Sequence, residues 1–157
     1  MSFDNSLAAP LAEATPRESV STRLQRVLPA LGRSLLALIF VVSGLGKIGA
    51  FEATQGYMAA AGMPLTGPLL VAAIAIEVLG GLMLMVGFKA RWGAFALIVF
   101  LIPATFIFHA FWTMEGGEVR LQMIQFLKNL SIIGGLLVIV AWGPGPLSLD
   151  RWRARAR

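Results

Sequence analysis

Four ionisable residues stand where ionisable residues are costly. Glu77 lies in the middle of Leu69 to Phe88, LLVAAIAIEVLGGLMLMVGF, whose twenty residues are otherwise apolar or small. Lys128 lies inside a second apolar stretch, His109 near the end of a third and Lys47 at the end of a fourth. A carboxylate or an imidazole can take up and release a proton, and an ammonium can hold an acid's charge or a ligand oxygen. An ionisable group at the centre of a hydrocarbon slab costs about 2.5–3.5 kcal/mol on insertion scales. Glu77 therefore calls for a partner and a use, and Lys128 is the partner that helical depth predicts.

The elements that carry these residues follow from hydropathy. Hydrophobic residues make up 57% of the 157, and charged residues only 13%; soluble domains have about 45–50% and 25%. Mean hydropathy is +0.79. Four stretches are long enough to cross a hydrocarbon core of about 30 Å as helices. They run from about Leu31 to Ile48, Leu69 to Phe88, Trp92 to Trp112 and Met123 to Trp142. Short loops imply an up-down-up-down order. The expected fold is thus an all-α, integral-membrane four-helix bundle. Residues 50–67 are too polar to span; Phe51, Tyr57 and Met58 on one face predict a short interfacial helix, stopped by Gly62 and Pro64. Pro103 falls inside the third span and should kink it. Residues 1–28 read as a flexible cytoplasmic tail, 29–142 as the membrane domain and 143–157 as a basic cytoplasmic tail.

Charge sets the orientation. Arg23, Arg26, Arg33, Lys89, Arg91 and the arginines at 151, 153, 155 and 157 gather on one side, and the other loops hold Glu52, Glu115 and Glu118 against Lys47 and Arg120. Cytoplasmic loops carry the Lys/Arg excess, so both termini are expected in the cytoplasm of a bacterial inner membrane protein. The same placement accounts for the net charge of +5 without nucleic acid. There are no cysteines, which excludes disulfides, thiolate metal sites and cysteine nucleophiles. One histidine excludes a bis-histidine haem within the chain. No metal site is expected, and no nucleotide-loop, zinc-protease or serine-hydrolase motif stands in a fitting context.

Depth and helical face connect the candidates. Glu77 is about 12 Å below the outer end of its span, Lys128 about 8 Å and His109 about 5 Å, at 1.5 Å per residue. All four ionisable groups fall in the outer half of the bundle. Gly80 and Gly81 share the face of Glu77, Gly44 precedes Lys47 by three residues, and Gly134 and Gly135 follow Lys128 in the fourth span. Small residues let helices approach closely, so these faces are expected to point inward. Other readings stay open: Lys47 as a side chain reaching to the interface, His109 as a neutral ring bonded to a carbonyl, and Glu77 with Lys128 as a structural ion pair.

The stretches GRSLLALIFVVSGLGKI, AGMP, IEVLGGLMLMVGF and FLKNLSIIGGLL, with His109 between the last two, resemble the DoxX family of small four-span membrane proteins. The resemblance covers about residues 30 to 142. It places Gly44, Lys47, Glu77, Gly80, Gly81, His109, Lys128 and Gly135 at typical family positions. The family takes its name from a subunit of a thiosulfate:quinone oxidoreductase, and other members are linked to oxidant and thiol stress. The resemblance thus implies a membrane subunit rather than a self-sufficient enzyme, quinone as the ligand and a soluble oxidoreductase as partner; the glycine faces, separately, suit a homo-oligomer in the lipid bilayer, which transport through so thin a bundle would need. In this reading Glu77 and His109 handle protons, Lys128 holds the acid's charge or a ligand oxygen, and Lys47 attracts anions. The alternatives are a small carrier for a weak acid or oxidant, and a non-catalytic scaffold for peripheral enzymes.

Overall fold

A computed structural model of the chain describes residues 19–156. The tail expected over 1–28 lies outside the described residues up to position 18. From there the chain is already helical. Helix α1 (Val20–Gly49) opens with Ser19, whose hydroxyl accepts from the Thr22 amide and caps one orphan donor. The remaining helices are α2 (Phe51–Ala60), α3 (Thr66–Val86), α4 (Ala90–Phe108), α5 (Glu118–Trp142) and α6 (Leu149–Arg155), with one 3-10 turn at Phe111–Thr113. No strand occurs among the described residues. The four expected spans correspond to α1, α3, α4 with its 3-10 turn, and α5, all long and apolar enough to cross a membrane.

Several boundaries differ from expectation for one reason: hydropathy marks the apolar slab, whereas the helix follows hydrogen bonding past it. Thus α1 begins eleven residues before Leu31, and α5 begins at Glu118 rather than Met123. In α4 the reverse occurs. The helix ends at Phe108, so His109 is its C-cap residue, with its amide bonded to Thr105 O. The basic tail also acquires structure, because GPGP ends α5 and Ser148 caps a further short helix, α6.

The packing order is α1, α3, α4, α5, and α1 barely touches α5. Glycines set these contacts. A Cβ at Gly44 would lie 2.7 Å from Val78 Cγ2 and 3.2 Å from Glu77 Cβ, and one at Gly81 would lie 2.8 Å from Val41 Cγ2. On the other side of α3, Gly80 and Gly93 of α4 face each other, each Cβ position within 3.4 Å of the other's carbonyl oxygen. Helix α3 therefore sits between its two neighbours at glycine-limited distance. Gly135 approaches only the Leu36 side chain, and Gly134, expected to pack, faces open space. Ala37, Phe40, Leu84, Ala94, Leu97 and Leu136 fill the centre, while Leu35, Val42, Leu79, Phe95, Val99 and Leu137 are exposed toward lipid.

This contrast predicts a difference between two glycine substitutions. Gly81→Val drives methyl groups into Val41 and toward Ala37 O, and overpacking of this kind costs about 1–3 kcal/mol. Gly134→Ala meets nothing and should leave stability equal or slightly raised, since alanine favours helix over glycine by about 1 kcal/mol. Thermal unfolding midpoints in detergent would check both; equal shifts would contradict the packing described.

Arg33 joins the ends of three segments. Its guanidinium donates to Leu84 O at 2.9 Å and to Pro144 O and Leu147 O, so the early part of α1, the end of α3 and the segment after α5 meet at one end of the bundle. The α3–α4 turn there is a Schellman closure: Gly87 at φ +69° donates to Leu84 O, and Phe88 donates to Met83 O. The Asp150 carboxylate then accepts from the Lys89 and Ala90 amides at 2.7 and 3.1 Å, satisfying orphan donors at the start of α4.

Candidate functional site

At the opposite end of the bundle the helices leave a cavity of about 540 Å³. Its walls come from α1, α2, α3, α4 and α5, and its lining is mostly apolar, with Ile39, Leu70, Ile76, Phe100, Ile107 and Ile132 among the contributors. Helix α2 covers one side, held by Met58, which is buried, and by Tyr57, whose ring stacks on Phe108 at 5.2 Å.

Lys47, Glu77, His109 and Lys128 all line this cavity. The partner of Glu77, however, is Lys47 and not Lys128. Lys47 Nζ donates to Glu77 Oε1 at 3.0 Å and to Ser43 Oγ at 2.6 Å, and lies 2.9 Å from Glu77 Oε2. Ser43 Oγ in turn donates to Glu77 Oε1 at 3.0 Å, which closes a three-membered polar ring between α1 and α3. The reason is proximity. Gly44 lets α1 press directly against the Cβ of Glu77, whereas α5 does not pack on α3. Lys128 is exposed and bonds Gln125 one turn earlier on its own helix.

Glu77 is 3% exposed, and its Oε2 accepts no well-directed hydrogen bond although the charge of Lys47 is near. The carboxylate is thus compensated in charge, with both oxygens within 3.0 Å of the Lys47 ammonium. His109 sits at the rim. Its Nδ1 is 2.7 Å from Gln122 Oε1, and with that oxygen as acceptor Nδ1 is the donor. A carbonyl partner for His109 was one alternative; a side-chain amide oxygen takes that place.

Sequence reasoning passed over three contributors. Ser43, four residues before Lys47, supplies the hydroxyl of the polar ring. Asn129 and Thr105 are both buried and bonded, Asn129 Nδ2 donating to Thr105 Oγ1 at 3.0 Å, and Thr105 Oγ1 to Leu101 O. Asn129 also lines the cavity. An amide one residue after Lys128 in an apolar span was the available signal. Chemically, the site offers a largely apolar chamber lined by a paired carboxylate, an imidazole and a second ammonium.

Comparison with known proteins agrees with this architecture. The DoxX family model matches residues 28–110, a stretch that includes Lys47, Glu77 and His109 but stops before Lys128. The chain is 39% identical over 127 residues to inner membrane protein YphA of Escherichia coli (strain K12), covering 80% of this chain and 89% of that protein. It is 36% identical over 129 residues to inner membrane protein YqjF of the same organism, covering 82% and 94%. A shorter match, 40% over 70 residues, is to a surfeit locus protein 4 homolog of Schizosaccharomyces pombe, covering 43% of this chain and 23% of that protein. No solved structure matches the chain. With a family match over more than half its length and near-full-length relatives of the same kind, this chain belongs to the DoxX family.

Proposed function

We propose that this chain is a multi-pass inner membrane subunit of a quinone-linked redox or oxidant-response system, and that its cavity holds a quinone or a similar small redox ligand. The observation that carries the reading is a largely apolar chamber lined by a buried carboxylate–ammonium pair, Glu77 with Lys47, together with His109 and Lys128. A volume of about 540 Å³ falls within the 300–1,000 Å³ of small-molecule sites, where apolar walls with a few convergent polar groups are usual. A quinone supplies two-electron, two-proton redox chemistry when bound. Toward such a ligand Lys128 donates to a ring oxygen, Lys47 attracts the developing negative charge, and Glu77 and His109 handle the protons. Electrons would come from a soluble oxidoreductase partner, as the family resemblance implies. The Lys/Arg distribution supports an orientation with both termini in the cytoplasm, which would put the cavity in the outer half of the bundle.

Titration of the purified chain with a quinone analogue, followed by ligand absorbance or fluorescence quenching, tests the reading. Wild-type protein should bind in the micromolar range or tighter, and His109→Ala and Glu77→Gln should each weaken binding about tenfold, the equivalent of one lost hydrogen bond to a charged or buried group. No binding, or binding unaffected by both variants, would remove the quinone. The scant contact between α1 and α5 favours a second reading, a carrier for a weak acid or oxidant. Flux through liposomes containing the chain alone would identify it.

A further inference from the structure

We propose that a second, basic cleft at the terminus end of the bundle binds the phosphate of an anionic glycerophospholipid. The cleft, about 360 Å³, lies between the start of α4, the end of α5 and α6. Lys89, Arg91 and Arg151 line it, flanked by Trp92 and Trp142. Among the described residues Asp150 is the only carboxylate in its walls, and both of its oxygens already accept backbone amides at the start of α4. Three cations against one carboxylate leave the cleft with two net positive charges.

The cations have donors to spare. Among the described residues nothing pairs with the Arg151 guanidinium. Arg91 spends one N–H on Ala141 O at 3.2 Å, which holds its planar group beside Gly143 with the rest of the fork available. Lys89 lies over the Phe88 ring at 5.8 Å, an arrangement that leaves its ammonium hydrated. A planar guanidinium recognises phosphate oxygens in pairs, and two of them in one cleft suit a phosphodiester.

The tryptophans decide the source of the phosphate. Trp92 and Trp142 are 70% and 79% exposed, at the mouth of the cleft and at the ends of two membrane-spanning helices. Indole rings in that position lie at headgroup level beside the glycerol and upper acyl chain. A free phosphate gains nothing from them, whereas a lipid places its phosphate on the arginines and its chains along α4 and α5. Basic pockets between spanning helices bind anionic headgroups by the same physics. The Arg33 contacts and the Asp150 cap, by docking α6, bring Arg151 to the cleft.

The test uses the full chain, delipidated in detergent and examined by native mass spectrometry with added cardiolipin, phosphatidylglycerol or phosphatidylcholine. Anionic lipid should be retained at least about tenfold more strongly than phosphatidylcholine. Each of Arg91→Gln and Arg151→Gln should lower that retention about fivefold, since a cation near an anionic surface contributes about 1 kcal/mol. Arg155→Gln, on α6 but outside the cleft, should not. Equal retention of the lipids, or equal loss with Arg155→Gln, would overturn the site in favour of diffuse attraction. Displacement of the lipid by millimolar inorganic phosphate would overturn the lipid as occupant.

Discussion

Replacing Lys47 with methionine should destabilise the bundle by about 3–5 kcal/mol, the range found when one partner of a buried ion pair is removed, while Lys128→Met should change stability by no more than about 0.5 kcal/mol. The two lysines differ in what they leave behind. Without Lys47, the 3%-exposed Glu77 carboxylate keeps only the Ser43 hydroxyl as donor, and it must neutralise or draw in water. Without Lys128, only an exposed contact with Gln125 on the same helix is lost. Glu77→Gln should cost less than Lys47→Met, because a neutral amide remains opposite an ammonium that is still one-quarter exposed. The double variant, Lys47→Met with Glu77→Gln, should regain most of the stability, since no lone charge remains, but it should not regain ligand binding if the pair serves the ligand. Unfolding midpoints in detergent and the analogue titration separate these outcomes. Additive losses in the double variant would mean that the ring of Ser43, Lys47 and Glu77 does not act as a unit.

The contrast between the two lysines shows what could be read from the chain. Four spans, the helix between the first two and the half of the bundle holding the polar groups were all legible, because hydropathy and helical rise are local properties. The partner of Glu77 was not. Depth alone favoured Lys128, since Lys47 stands at the end of its apolar run. Two physical facts reverse that order. A lysine side chain reaches along the helix for several ångströms, so its ammonium need not sit at the depth of its backbone. And close approach of helices, set by Gly44 against α3, outranks equality of depth. The signal was present in SGLGK, where Ser43 and Gly44 lie one turn before Lys47 on the same face, but it gains meaning only with the helix order. The connection of Arg33 to loop carbonyls had no signal of this kind. Backbone oxygens are the same at every residue, so nothing in GPGPLS marks it as an acceptor for a distant arginine.

That connection carries the second large effect. Arg33→Leu should cost about 2–4 kcal/mol and should release α6 from the bundle. Arg33 is 6% exposed and its guanidinium serves three carbonyls, Leu84 O, Pro144 O and Leu147 O. Hydrogen bonds from a charged donor are worth about 1.5–3 kcal/mol each. Leu84 O retains its bond from the Gly87 amide, and Pro144 O and Leu147 O lie in a loop that water can reach once it loosens, so the net loss stays below the sum. With the loop freed, Asp150 no longer holds the Lys89 and Ala90 amides, and the start of α4 loses its cap. Hydrogen exchange at these two amides should therefore rise together with cleavage near residue 149, while exchange in the middle of α3 stays slow. Arg33→Lys should fall between, because an ammonium keeps the charge but cannot present the planar fork that spans three acceptors. Asp150→Asn should expose the same two amides at a smaller cost of about 1 kcal/mol, the value of a helix cap. If Arg33→Leu unfolds the chain globally without prior exchange at Lys89 and Ala90, the arginine acts on the core rather than through α6. If exchange and stability are both unchanged, the three carbonyl bonds contribute nothing that water does not replace.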